Sequence, residues 1–231
     1  MYQRVLLKLS GEALCSPGET LDFETIENTA RALGQVAKLG IQVGIVLGGG
    51  NIWRGRSSGE MDRNRADQMG MLATAINSIA MQDALLRQGT PCRVLSAIEM
   101  NRFCDPYTAR GAEAALQAGE IVIFACGSGH PFFSTDTAAA LRAAEIGADV
   151  LLLAKNIDAI YSADPKKDPN AVRYTDVTYQ QVIEEDLKAT DLTAITLCKE
   201  QNISIVAFGL KEENSILRAA SGEKIGTLIH A

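Results

Sequence analysis

Three consecutive glycines, Gly48-Gly49-Gly50, close the apolar run Ile41 to Leu47, and Arg54 follows four residues after the last of them. Adjacent glycines lose more conformational freedom on folding than other residues and contribute no side-chain packing. They suit a place where a polar ligand lies against bare backbone N–H groups, as phosphates do in a nest of amides. A flexible turn after a strand would also account for them, so their meaning depends on the rest of the chain.

Upstream, Tyr2 to Leu9 reads as a buried strand ending in Lys8-Leu9-Ser10-Gly11, a small-residue turn with a lysine beside it. Residues 22–38 carry Ile26, Thr29, Ala30, Leu33, Val36 and Ala37 at helical spacing, and Gly40 stops that helix. With the strand Ile41–Leu47 this makes a strand–helix–strand unit, and hence a parallel sheet.

Residues 50–66 form a polar loop holding Arg54, Arg56, Arg63 and Arg65. The helix that follows to about Arg87 has an apolar stripe of Met69, Leu72, Ile76, Ile79 and Leu86, whose spacing predicts core packing. Strands are expected at Cys92–Leu95, Ile121–Cys126, Val150–Leu153, Ile203–Phe208 and Ile225–Ile229. Helices are expected at Pro106–Leu116, Ala138–Ile146 and Glu212–Ala220, and from a Thr190-Asp191 cap to Glu200. Lys155–Ala171 reads as a loop, and Thr175–Leu187 as mixed.

The alternation is α/β throughout, and in such sheets ligands lie beyond the C-terminal ends of the strands. The glycine turns at Gly11, Gly48–Gly50 and Gly127–Gly129 all fall at such ends. Lys8 and Arg54 bring positive charge there, and Asp67, Asp136, Asp158, Asp164 and Asp191 bring carboxylates. Phosphoryl transfer uses this equipment: cations and amides on phosphate oxygens, carboxylates to position a lysine or hold Mg²⁺. An acceptor that is already an anionic oxygen needs no general base, so the scarcity of histidine (His130 and His230) is no obstacle.

Other classes are disfavoured. A net charge of −6 argues against a general nucleic-acid binder. Neither G-x-x-x-x-G-K-[ST] nor G-x-G-x-x-G is present, and no Ser–His–Asp order is suggested. Five scattered cysteines without metal spacing point to reduced thiols and a cytoplasmic location. The first residues enter a strand without a signal peptide, and no uncharged apolar run approaches the roughly 20 residues of a membrane span.

These segments resemble the bacterial uridylate (UMP) kinases of the amino-acid kinase family. The resemblance rests on Lys8-Leu9-Ser10-Gly11, Gly48-Gly49-Gly50-Asn51 with Arg54-Gly55, and Gly127-x-Gly129. It extends to Pro131-Phe132-Phe133-Ser134-Thr135-Asp136, Tyr161-Ser162-Ala163-Asp164-Pro165 and the segment from Asp67 to Thr74. It runs from about residue 3 to 229.

It implies a single domain over residues 1–231, a three-layer αβα sandwich around a mostly parallel sheet. The implied reaction is transfer of the ATP γ-phosphoryl group to UMP, with Mg²⁺ carried mainly by ATP rather than by a dedicated protein site. Lys8, Arg54, Asp136 and Asp191 would be the catalytic set. Lys8, Leu9, Ser10, Gly11, Gly50, Arg54, Asn156, Tyr161 and Asp164 would meet ATP. Gly49, Asp67 and the run Ser128, Gly129, His130, Pro131, Phe132, Phe133, Ser134 and Thr135 would meet UMP. The two phenylalanines would form a pocket wall, and a side chain at Gly49 or Gly50 would block a substrate more than it harms the fold. The resemblance also implies a homohexamer with GTP and UTP as effectors, and no nucleic-acid or membrane partner.

Three departures from that family stand out, the first being that the region Cys15–Thr20, which by analogy would contribute to GTP regulation, is short and lacks a distinctive signature. His130 replaces the usual asparagine of G-x-G-N-P, and Lys155-Asn156-Ile157-Asp158-Ala159 replaces a K-V-D-G-type segment. Two other functions compete: a sister phosphotransferase acting on a small acid or phosphate, and a nucleotide sensor without turnover.

Overall fold

The structure is a computed structural model that describes residues 1–54 and 59–231. Gly55 and Arg56 lie outside the described residues. The strands are β1 (Arg4–Leu9), β2 (Gln42–Leu47), β3 (Cys92–Ser96), β4 (Asp105–Pro106), β5 (Ile121–Ala125), β6 (Val150–Lys155), β7 (Ile160–Tyr161), β8 (Arg173–Tyr174), β9 (Asp176–Thr178), β10 (Ser204–Gly209) and β11 (Thr227–His230). The helices are α1 (Phe23–Lys38), α2 (Arg63–Arg87), α3 (Ala109–Gln117), α4 (Thr135–Glu145), α5 (Tyr179–Glu184), α6 (Leu192–Gln201) and α7 (Ser215–Ala220).

Among the described residues one nine-stranded sheet runs in the order β4-β3-β5-β2-β1-β6-β10-β11-β9, with β7 and β8 as a separate ribbon. Every pairing in the large sheet is parallel except β10 with β11. Period-two alternation divides β1 between two cores: Val5, Leu7 and Leu9 face α1, α2 and α7, and Leu6 faces α3, α4, α5 and α6. This is the expected αβα sandwich. Lys8, two residues beyond Leu6, faces the α4 side. Because β1 lies between β2 and β6, the chain's excursions to the two sides of the sheet diverge there, at the C-terminal edge.

Most expected elements form, although Pro106 lies in β4 instead of opening a helix, β7 forms within the expected loop 155–171 and α7 starts only at Ser215; three further differences bear on the site. The loop after β1 coils into a single 3-10 turn, Gly11–Leu14. Helix α4 begins three residues earlier than its apolar pattern indicates, because Ser134 caps it. The third difference overturns the reading of α2. Leu72 is 55% exposed, and Met69, Ile76, Ile79 and Leu86 are exposed with it. The buried face is instead Ala66, Ala73, Thr74, Ala75, Asn77, Ser78, Met81, Ala84 and Leu85.

The reason is steric. The glycine turn presses on this helix so closely that a Cβ on Gly49 would lie 2.9 Å from both Ala73 Cβ and the Gly70 carbonyl oxygen. Beside Gly70 and Ala73 only small side chains fit between the two, while farther along the same face buries Met81 and Leu85 and the bulky stripe is turned outward. No helix among the described residues is long and apolar enough to cross a membrane.

Candidate active site

Two cavities open at the C-terminal edge of β1, β2, β5 and β6. The larger, about 470 Å³, is lined by Lys8, Ser10, Glu12, Asp136, Lys155, Asn156, Asp164 and Lys166, among others. A cleft of about 810 Å³ shares Glu12, Asn156 and Lys166 with it. The smaller, about 150 Å³, is lined by Gly49, Trp53, Asp67, Met71, Ser128, His130, Phe133, Ser134 and Thr135, among others. Of the residues expected at ATP, Lys8, Ser10, Asn156 and Asp164 line the larger cavity, whereas Leu9, Gly11, Gly50, Arg54 and Tyr161 are not in its lining; of those expected at UMP, all but Gly129, Pro131 and Phe132 line the smaller. The boundary runs through the first turn of α4, where Thr135 faces the smaller cavity and Asp136 the larger.

Lys8 and Asp136 meet at that boundary, with Nζ 2.6 Å from Oδ1. Thr190 donates to the other carboxylate oxygen at 2.7 Å. Burial pushes the Asp136 carboxyl up, but the Lys8 charge, its hydrogen bond and the Thr190 hydroxyl outweigh it and hold the group below its ordinary range. Lys155, at the end of β6, donates to the Ala189 carbonyl and shares the field of this pair. Burial lowers its pKa, against the opposing pull of Asp136.

Lys155 was not among the residues expected at the site, although a lysine at a strand end is the same signal that marks Lys8. Glu12, which forms an ion pair with Arg54 across Gly50, was also missed, and nothing in its local sequence distinguishes it.

Asp191 is the N-cap of α6, accepting from the Ala194 N–H at 2.9 Å. It also accepts from the Ser134 hydroxyl and, at 2.8 Å, from the Thr137 hydroxyl. Ser134 in turn accepts from the Asp136 and Thr137 N–H groups, each at 3.0 Å. Asp191, expected among the catalytic residues, lines neither cavity; its contacts clasp the start of α6 to the start of α4, the helix that carries Asp136.

The glycine turn is pinned by two asparagines. Buried Asn77 on α2 donates to the Gly48 carbonyl at 2.6 Å and to Asn51 Oδ1 at 2.8 Å. Asn51 donates to the Thr20 carbonyl at 2.8 Å. Gly48 N–H donates to the Leu9 carbonyl at 2.8 Å. A Cβ on Gly11 would lie 2.7 Å from Gly50 N and 2.8 Å from the Gly48 carbonyl oxygen, so the two glycine turns cross at backbone contact.

The expectation for Gly49 is therefore corrected: a side chain there collides with α2 before it reaches a substrate. At Gly50 the nearest atom to an added Cβ is Arg54 Nε at 3.8 Å, so that position alone fits the expectation.

Asp67 accepts from the Phe132 N–H at 2.7 Å and pairs with Arg63 at 2.8 Å. Arg63 lies over the Phe132 ring, 5.5 Å from its centroid. Of the two phenylalanines expected as a wall, Phe133 lines the smaller cavity, while Phe132 is held outside it under Arg63. Tyr161 donates its hydroxyl to Asp158 at 2.9 Å, away from the larger cavity's lining. Trp53 lines the smaller cavity with its indole N–H on the Ala66 carbonyl at 2.9 Å.

Among the described residues no three His, Cys, Asp or Glu side chains converge as a metal cage. The carboxylates of Asp136, Glu12 and Asp164 in the larger cavity are hard oxygen donors of the kind that meet Mg²⁺ arriving on a polyphosphate.

The amino acid kinase family model matches residues 3–208. The structure is similar to that of UMP kinase from Bacillus anthracis, with a TM-score of 0.96 and 36% identity over 99% of this chain and 96% of that one. UMP kinase from Ureaplasma parvum aligns with a TM-score of 0.94 and 37% identity over 100% of both chains. Uridylate kinase from Archaeoglobus fulgidus aligns with a TM-score of 0.75 and 29% identity over 97% of this chain and 99% of that one.

Proposed function

This chain belongs to the amino acid kinase family, and we propose that it is a UMP kinase, transferring the γ-phosphoryl group of ATP to UMP to give UDP and ADP. The observation that carries this reading is the pair of cavities sharing one wall, with Thr135 on one side, Asp136 on the other and Lys8 paired at the junction. A phosphoryl group passing between two bound phosphates must cross such a junction.

ATP occupies the larger cavity and the cleft that continues it, near Ser10, Gly11, Gly50, Asn156 and Asp164. UMP occupies the smaller cavity. Trp53, Met71 and Phe133 there suit a nucleoside better than the small acid of a sister phosphotransferase. The UMP phosphate oxygen is the nucleophile and is already anionic, so no residue is required to remove a proton.

Lys8 stabilises the charge that spreads over the transferring group, and Asp136 aims it. The α4 N-terminus adds its favourable field for anions. Arg54, held by Glu12 beside Gly50, neutralises charge where the substrates meet. Glu12, Asp136 and Asp164 would meet Mg²⁺ carried by ATP, which would supply screening of the phosphate charge.

We further propose a homohexamer acting in the cytoplasm. The exposed stripe of Leu72, Ile76, Ile79 and Leu86 on α2 supports burial between subunits. GTP and UTP remain its proposed effectors.

Purified protein supplied with ATP, Mg²⁺ and UMP should form ADP and UDP, with little turnover of CMP, AMP or acetylglutamate. No turnover of UMP at any Mg²⁺ concentration would leave a nucleotide sensor. Equal turnover of CMP would discredit the narrow substrate assignment.

A further inference from the structure

The loop between β5 and α4 carries four residues with left-handed backbone: Cys126 (φ 63°), Gly127 (φ 59°), Gly129 (φ 80°) and Phe132 (φ 72°). Two of these are not glycine, and such conformations persist only where the surroundings enforce them. Some of the restraints come from residues already placed at the site. Thr74 Oγ1 accepts from the Cys126 N–H at 2.9 Å, and Asp67 holds the Phe132 N–H.

The restraint on Gly127 comes from elsewhere. Arg142, on the third turn of α4, is 4% exposed. Its guanidinium donates to the Gly127 carbonyl at 3.3 Å and forms an ion pair with Glu145. It also stacks on the Tyr107 ring, 3.8 Å from the centroid. Tyr107 donates its hydroxyl to the same Glu145 carboxylate at 2.5 Å and packs edge-on against Phe124 of β5. A buried cation, its counterion and an aromatic platform are thus assembled behind the loop, and the mechanism above uses none of them.

We infer that Arg142 is a positioning residue for the acceptor pocket: through the Gly127 carbonyl it holds the 126–130 segment in the conformation that lines the UMP cavity. A planar guanidinium is required, because it must face Tyr107 while reaching Glu145 with one nitrogen and Gly127 with another. A lysine has a single nitrogen and no flat face. Ion pairing for stability alone would not require the bond to Gly127, and that bond makes the two roles separable. The inference rests on the UMP kinase reading, and the specific prediction is a one-sided loss. The acceptor site should loosen while the ATP site, formed by other strand ends, stays intact.

The test is to measure dissociation constants for UMP and for a non-hydrolysable ATP analogue, together with kcat and thermal unfolding, in Arg142→Lys. UMP affinity should fall on the order of ten-fold, the scale of one lost charged hydrogen bond, with affinity for the ATP analogue within about two-fold of wild type. Unchanged UMP affinity, or equal losses at both sites, would overturn the assignment. If Arg142→Lys does not fold, Tyr107→Leu removes only the platform and should give a smaller loss of the same one-sided kind. Equal or absent losses there would again count against it. Failure of the UMP kinase reading itself is distinguishable, because wild-type protein would then turn over no UMP.

Discussion

Lys8 at the end of β1 and Asp136 in the first turn of α4 pair at 2.6 Å where the larger and smaller cavities adjoin. The ammonium is aimed by a carboxylate that belongs to another element, so its position is set before substrate arrives. Lys8→Ala should lower kcat by roughly 10²-fold or more while changing the UMP dissociation constant by less than about three-fold, because its charge is used chiefly in the transition state. Single-turnover kinetics with separate UMP titration checks this. Comparable losses in both quantities would assign Lys8 to ground-state binding. Lys8→Met combined with Asp136→Asn should regain stability relative to Lys8→Met alone and remain inactive, since it removes the stranded carboxylate without restoring the cation.

The same pair sets a pH dependence. The folded pKa of Asp136 lies below the ordinary 3.8, so its contribution to stability is present above that value and lost as pH falls through the lower folded value. The stability gap between wild type and Asp136→Asn, from urea unfolding at successive pH values, should stay constant from neutrality to about pH 4 and narrow below it. A gap that widened on acidification would contradict the arrangement.

Gly49 and Gly50 should behave oppositely. An added Cβ at Gly49 meets Ala73 Cβ and the Gly70 carbonyl at 2.9 Å, whereas at Gly50 it meets nothing nearer than 3.8 Å. Gly49→Ala should destabilise the protein by about 1–3 kcal/mol through overpacking. Gly50→Ala should stay within about 0.5 kcal/mol of wild type and weaken ATP binding instead. Urea midpoints and ATP-analogue affinity for the two variants provide the comparison.

Asn77 ties the glycine turn to α2 from within the core. Asn77→Ala removes the donor to the Gly48 carbonyl and to Asn51 Oδ1, at a cost of about 1–3 kcal/mol. Weaker UMP binding should accompany it, because the turn borders that cavity. A shift in the urea midpoint without any change in UMP affinity would confine Asn77 to a purely structural role.

Leu72→Lys with Ile76→Lys should break the proposed hexamer without unfolding the protomer, since both side chains are exposed on the single chain. Sedimentation velocity should show smaller species with unchanged far-ultraviolet circular dichroism. Hexamers persisting in the variant would place the interface elsewhere.

The chain by itself determined the longer strands of the sheet, its mostly parallel character and the polar turns at the strand ends, but not the short strands β4, β7, β8 and β9. Each feature so determined is a local property: an apolar run, a run of glycines, a lysine or aspartate at a fixed offset. Lys8, Asp136, the Gly48–Gly50 turn and the Ser128–Thr135 loop were therefore readable as one ligand edge.

Tertiary structure decided which face of α2 is inside. Both faces repeat at helical spacing, and the crowding of Gly49 against Ala73 admits only small residues at that end of the inner one, with Met81 and Leu85 buried farther along. It also decided how the edge divides into two cavities, and that Asp191 clasps α4 while Arg142 and Tyr107 brace Gly127. Those roles depend on contacts between elements distant in sequence, where no spacing rule operates and only packing specifies the partner.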